Sequence, residues 1–129
     1  MSRTEFLTVE EVVEINAEHV ALHGGLQGIR DMGILESAVM AAEFESCYGS
    51  DDLFDLAATY VTHIIQDHPF LDGNKRTGVK AGLVFLALNG KRLKLDARRL
   101  SHIEEMAVSI ASSQAGKENM ASLLRACMT

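Results

Sequence analysis

Within nine positions the chain places His68, Asp72, Asn74, Lys75 and Arg76, with Gly73 in their midst. These residue types suit the handling of phosphate. An imidazole, whose ordinary pKa lies near ~6.5, accepts a proton from a hydroxyl at neutral pH, which is the use open to His68. Asp72, acceptor-only when ionised, suits Mg²⁺ beside a polyphosphate, because that ion takes one or two carboxylates together with phosphate oxygens and water. Asn74 or Asp72 stands where a helix cap is expected, so the free N–H groups near Gly73 to Arg76 can face an anion, helped by the positive helix end. Lys75 and Arg76 add charge-assisted donors, and an arginine grips two phosphate oxygens at once. The same residues also have a plainer use: Pro69 ends a helix, Asp72-Gly73 makes a turn, Asn74 caps, and Lys75-Arg76 forms a solvated face. Residue chemistry alone leaves both open.

The elements that must position this loop are helical. Thr8-Val9-Glu10-Glu11 has capping-box spacing, and Val9, Val12, Val13, Ile15, Val20 and Leu22 recur at helical intervals up to Gly24-Gly25. Gly24 to Arg30 is too glycine-rich for a helix, and Asp31 caps a second one through Ile34, Leu35, Ala38, Val39 and Ala42, ending near Tyr48-Gly49. Ser50-Asp51-Asp52 precedes a broad apolar stripe from Leu53 to Ile65, a central helix that Pro69 stops at His68. Ala81 to Leu88, apolar nearly all round, predicts a helix buried on most of its surface and ended by Asn89-Gly90. Lys91 to Leu95 alternates as a short extended piece does. Asp96 then caps a helix with Leu100, Ile103, Met106, Ala107 and Ile110 inward, and after Gly116 a last short helix carries Met120, Leu123 and Leu124. With no repeat or linker, the expectation is one all-α domain over 1–129 with about six helices.

Composition sets the outer bounds. A chain of 129 residues, 47% apolar and 23% charged, has the make-up of a soluble globular protein. At this length it buries roughly two-thirds of its unfolded surface. A net charge of −6 argues against broad binding to nucleic acid, while leaving room for a local anion site. Met1 to Glu5 carry no apolar signal core and the run Ala81 to Leu88 is too short to span a bilayer, so no membrane association is expected. Cys47 and Cys127, without a secretory segment, read as reduced thiols of a cytoplasmic protein, filling space as small apolar residues.

Other clusters carry less. His63, Asp67, His68 and Asp72 lack cysteine partners and a zinc spacing. His19, His23 and His102 read as isolated surface or satisfied core residues. Gly73 to Thr77 lacks the glycine and residue order of a P-loop. Glu10-Glu11, Asp51-Asp52 and Glu104-Glu105 are neighbours on helices, which do not face each other. Met32, Met40, Met106, Met120 and Met128 fit a core or a partner groove.

The string His68-Pro69-Phe70-Leu71-Asp72-Gly73-Asn74-Lys75-Arg76-Thr77 is similar to the signature of the Fic family, and its Asn-Lys-Arg-Thr ending resembles the death-on-curing (Doc) toxin branch. The likeness extends through Gly24-Gly25-Leu26, Asp31-Met32-Gly33, Asp52-Leu53-Phe54 and the apolar helix after Thr77, to about Gly90. It implies a Fic-type helical bundle in which His68 takes the catalytic histidine position and Asp72 the acidic metal-binding position. Gly73, Asn74, Lys75 and Arg76 take the nucleotide-binding stretch, with Lys75 and Arg76 joining His68 in catalysis. The pattern of adenylyl-transferring Fic proteins has Gly where Lys75 stands and a second Arg where Val79 stands. The resemblance therefore implies a kinase using ATP and Mg²⁺. Members of this branch phosphorylate a threonine of elongation factor Tu, halt translation, and are held off by a small antitoxin. AMP transfer is the alternative reaction, and a catalytically silent binding module the alternative from another class. Self-inhibited Fic proteins carry Ser/Thr-x-x-x-Glu-Gly/Asn; the stretch from Ser113 to Glu118-Asn119 is one residue longer, so restraint is expected from another chain.

Overall fold

The computed structural model describes residues 3–129. Met1 and Ser2, the start of the stretch without a signal core and of the domain assigned to 1–129, lie outside the described residues. Among the described residues six helices follow in order: α1 (Val9–His23), α2 (Met32–Tyr48), α3 (Leu53–Asp67), α4 (Asn74–Leu88), α5 (Ala97–Ala111) and α6 (Lys117–Ala126). The all-α expectation therefore holds. Pairing of extended backbone among the described residues is limited to two isolated bridges, Ile29 with Phe70 and Leu93 with Met128.

The starts of four helices follow from their caps. Thr8 and Glu11 form the reciprocal capping box of α1, and the carboxylates of Asp31, Asp52 and Asp96 accept from the first-turn N–H groups of α2, α3 and α5. Each cap satisfies donors that the helix itself leaves free.

The centre is α3. Leu56, Ala57, Ala58, Tyr60, Val61, Ile64 and Ile65 are all buried, and α2, α4, α5 and α6 pack around them. The closest approach is to α4, where glycines make room. A Cβ on Gly78 would stand 3.0 Å from the Val61 carbonyl oxygen, and one on Gly82 would stand 2.6 Å from Val61 Cγ2 and 3.2 Å from the Ala57 carbonyl oxygen. Two glycines inside a helix weaken it by propensity, and here they let two backbones approach closely. The N-terminal segment is tied to the same core: the Leu7 N–H donates to the buried Tyr60 hydroxyl at 2.9 Å, whose pKa burial pushes up to about 12. Away from it, Glu45 of α2 accepts from Thr59 of α3 and pairs with Lys117 of α6. Burial alone would raise the Glu45 pKa, but these two partners hold it below the usual carboxylate range.

Several side chains depart from the helical pattern. Leu22 is 81% exposed and Leu100 also faces outward, so the inward stripes of α1 and α5 are narrower than their periodicity suggests. The last turn of α4 opens to solvent at Ala87 and Leu88. Met120 is buried, whereas Met32, Met40 and Met128 are exposed; Cys127 fills the core, but Cys47 lies on the surface. The extended piece near Leu93 pairs with the C-terminal tail, Lys94 N–H donating to the Cys127 carbonyl at 2.7 Å. Among the described residues no helix is long and apolar enough to cross a membrane.

Candidate active site

The loop joining α3 to α4 brings the candidate residues together. α3 ends at His68, as Pro69 requires, but in a different conformation from the extended one a residue before proline favours: His68 has φ 51° and ψ 58°. A non-glycine residue in this left-handed region costs roughly 1–2 kcal/mol, so the surroundings must hold it there. They do so through the segment between α1 and α2. The Arg30 and Asp31 N–H groups both donate to the Pro69 carbonyl, at 2.7 and 3.3 Å, and Leu71 N–H donates to the Gly28 carbonyl at 3.1 Å. Arg30 adds side-chain bonds to the carbonyls of His68 and Asp67.

Asp72 and Asn74 both differ from the expected cap. Asp72 Oδ2 accepts from the Leu26 N–H at 2.6 Å, in a close contact that leaves a Cβ on Gly25 only 3.3 Å from the Asp72 side chain. Asn74 is the first residue of α4, with its side chain turned back into the loop. It accepts from the Phe70 N–H and donates to the Phe70 carbonyl, both at 3.0 Å. The N-cap of α4 is Gly73, in left-handed geometry at φ 78°, and no side chain caps it. Glycine suits this position, because the left-handed φ strains a side chain and a Cβ would lie 2.8 Å from His19 Cδ2 and 3.3 Å from Asn16 Nδ2. The N–H groups opening α4 are therefore left to water or a ligand. Lys75 and Arg76 follow at once, exposed, as is His68.

Because Phe70 is 1% exposed, losing the Asn74 amide strands two backbone groups in the interior. Each unpaired buried group costs about 1–3 kcal/mol. Asn74→Ala should accordingly lower the urea midpoint without changing the slope of the transition, and an unshifted midpoint would show that this pair of bonds does not stabilise the loop.

Two residues that the loop string does not contain complete the site. Asn16 of α1, 2% exposed, donates through Nδ2 to the Asp72 carbonyl at 2.9 Å and to Thr77 Oγ1 at 3.1 Å, tying the loop to the first turn of α4. Its signal in the sequence is a polar residue in the buried stripe Val12, Asn16, Val20. His19 lies against Gly73 and its ring packs 4.7 Å from that of His23, so these two histidines are not isolated. Burial first, and then the positive charge of His23 and Arg76, holds His19 below the usual imidazole range.

From the start of α4 a cleft of about 450 Å³ runs between α1, α4 and α5. Its walls include apolar Ile15, Leu22, Val79 and Leu83, with Lys75, Arg76 and Lys80 along one side. Glu104 on α5 pairs with Arg76 at 3.5 Å; both are more than half exposed, so the pair is weak and leaves Arg76 available.

The amino-acid sequence has known relatives. The family model of the Fic/DOC family matches residues 6–86. The chain is 29% identical over 120 residues to "Protein kinase doc" of Escherichia phage P1, an alignment covering 92% of each protein. It is 38% identical over 96 residues to "Toxin Doc" of Mycolicibacterium smegmatis, covering 72% of this chain and 71% of that protein.

Proposed function

Since the chain belongs to the Fic/DOC family, in its Doc branch, we propose that it is a toxin-type protein kinase that moves the γ-phosphoryl group of ATP to a protein hydroxyl. The observation that carries this reading is the start of α4. Its N-terminus has no side-chain cap among the described residues, begins on a left-handed glycine where a side chain would crowd His19 and Asn16, and is followed directly by Lys75 and Arg76. Such an end attracts phosphate through free N–H groups and the helix dipole.

Each residue then has a part. The N–H groups from Gly73 to Arg76 receive the phosphates, and of Asn74 only the backbone is available, because its amide serves Phe70. Asp72 suits Mg²⁺: one carboxylate oxygen carries the Leu26 hydrogen bond, the other is a hard donor, and one carboxylate with phosphate oxygens and water is an ordinary set for that ion. When bound, the ion neutralises charge on the phosphates. His68 takes the proton of the target hydroxyl as its oxygen bonds to the γ-phosphorus. The bond from that phosphorus to the β–γ bridging oxygen breaks, and ADP leaves with the electron pair. Lys75 and Arg76 offset the charge that develops on the transferred group, the main burden of such a reaction.

Carried over from the branch, the proposed substrate is a threonine of elongation factor Tu and the outcome is inhibition of translation in the cytoplasm. An antitoxin would restrain the enzyme by laying a helix in the cleft between α1, α4 and α5, whose apolar walls and lysine-rich side suit an acidic amphipathic helix. The test is to incubate the protein with Mg²⁺, γ-labelled ATP and a bacterial translation extract, and to identify the labelled peptide by mass spectrometry. A phosphorylated threonine in elongation factor Tu is the expected result. Label on another protein replaces the substrate, and no label from either γ- or α-labelled ATP leaves a silent binding module.

A further inference from the structure

The carboxyl end of α3 needs partners for carbonyls that no further turn can satisfy. Helices often meet this need with a left-handed glycine and backbone bonds, but here the left-handed position is His68. Arg30 supplies most of the bonds instead, and the Asp31 N–H adds a 3.3 Å bond to the Pro69 carbonyl. Arg30 Nε donates to the His68 carbonyl at 2.5 Å, its Nη2 donates to the Asp67 carbonyl at 2.9 Å, and its own backbone N–H donates to the Pro69 carbonyl at 2.7 Å. Three consecutive carbonyls are held from a single side chain and its backbone. The Asp67 carboxylate pairs instead with His63, its Oδ2 lying 3.1 Å from His63 Nδ1. The guanidinium also places positive charge at the negative end of α3.

We propose that Arg30 is a positioning residue for His68: by fixing the backbone of residues 67–69 it sets the direction in which the imidazole leaves the chain. A planar fork is what two adjacent carbonyls need, and an ammonium group cannot reproduce it. The inference rests on the general-base role proposed for His68.

The experiment compares the unaltered protein with Arg30→Ala and Arg30→Lys in two ways. The first is transfer of γ-labelled phosphate from ATP. The second is the set of imidazole signals of histidine-labelled protein, with His68 assigned by the loss of its signal in His68→Ala. Misplacing a catalytic group by about 1 Å costs on the order of 10²-fold in rate. Arg30→Ala should therefore lower kcat by up to that factor with the KM for ATP unchanged, and should move the His68 signal while that of His102 stays. Arg30→Lys should not restore the rate, whereas millimolar methylguanidinium added to Arg30→Ala should restore part of it. Full activity in either variant, or an unmoved His68 signal, overturns the proposal. If the unaltered protein transfers neither phosphate nor AMP, the general-base reading falls, and the imidazole signals still decide for or against Arg30. If Arg30→Ala does not fold, Arg30→Lys decides by the same two readouts.

Discussion

Replacing His68 with alanine is expected to lower phosphoryl transfer by about 10²–10⁴-fold, the usual contribution of a positioned general base, while the fold persists. The two halves of this expectation have different origins. The bonds that shape the loop run through backbone atoms of residues 67–71 and through Arg30, Asn74 and Asn16, none of which is the imidazole. His68 is exposed, so removing its ring opens no cavity, and alanine meets much the same left-handed strain. The N–H groups at the start of α4 that are proposed to receive phosphate also remain. Transfer measured in a single turnover with γ-labelled ATP, beside a thermal unfolding curve, separates the two. Activity within a few-fold of the unaltered protein would remove His68 from the role of base.

How far the sequence alone reaches is visible in these same residues. The helix boundaries were legible because the caps are local: Thr8, Asp31, Asp52 and Asp96 each bond within three residues of themselves. The loop string was legible for the same reason, since His68, Asp72 and Gly73 to Arg76 lie together in the chain. Non-local contacts were not. Asn74 reads as a cap from its neighbours, yet its partners are the backbone groups of Phe70, which only the folded loop presents. His19 looks isolated along the chain, and packing of α1 on α4 brings it against Gly73. Leu22 keeps helical register but stands at the rim of the cleft, where nothing covers it. Arg30 carries no pattern at all; its role appears only once the end of α3 is seen to lack partners. By contrast, Asn16 was within reach, as a polar residue in a stripe that is otherwise buried and apolar.

On the proposed reading, the choice between the two groups that ATP can give up turns on Lys75 and Val79. They lie four residues apart on α4 and both line the cleft between α1, α4 and α5. A lysine at position 75 is expected to narrow the space that a glycine would leave for a more deeply placed phosphate, and Val79 offers no cation to clamp one. Only the terminal phosphate is then expected beside His68. Label should pass from γ-labelled ATP to the protein target with release of ADP, and α-label should not pass. Lys75→Gly combined with Val79→Arg reverses both features. It removes a charge-assisted donor, worth about 1.5–3 kcal/mol or roughly ten- to a hundred-fold in rate, and it sets a guanidinium where a half-buried valine packs against the core. Arginine's long stem can carry that charge outward toward the cleft, past Lys80, which already lies at its edge. Phosphate transfer by the double variant should fall by that factor, with traces of AMP transfer as the new activity, read by running the α- and γ-labelled reactions side by side. Robust AMP labelling by the unaltered protein would instead make adenylyl transfer its reaction, with Lys75 then a ligand of the deeper phosphate.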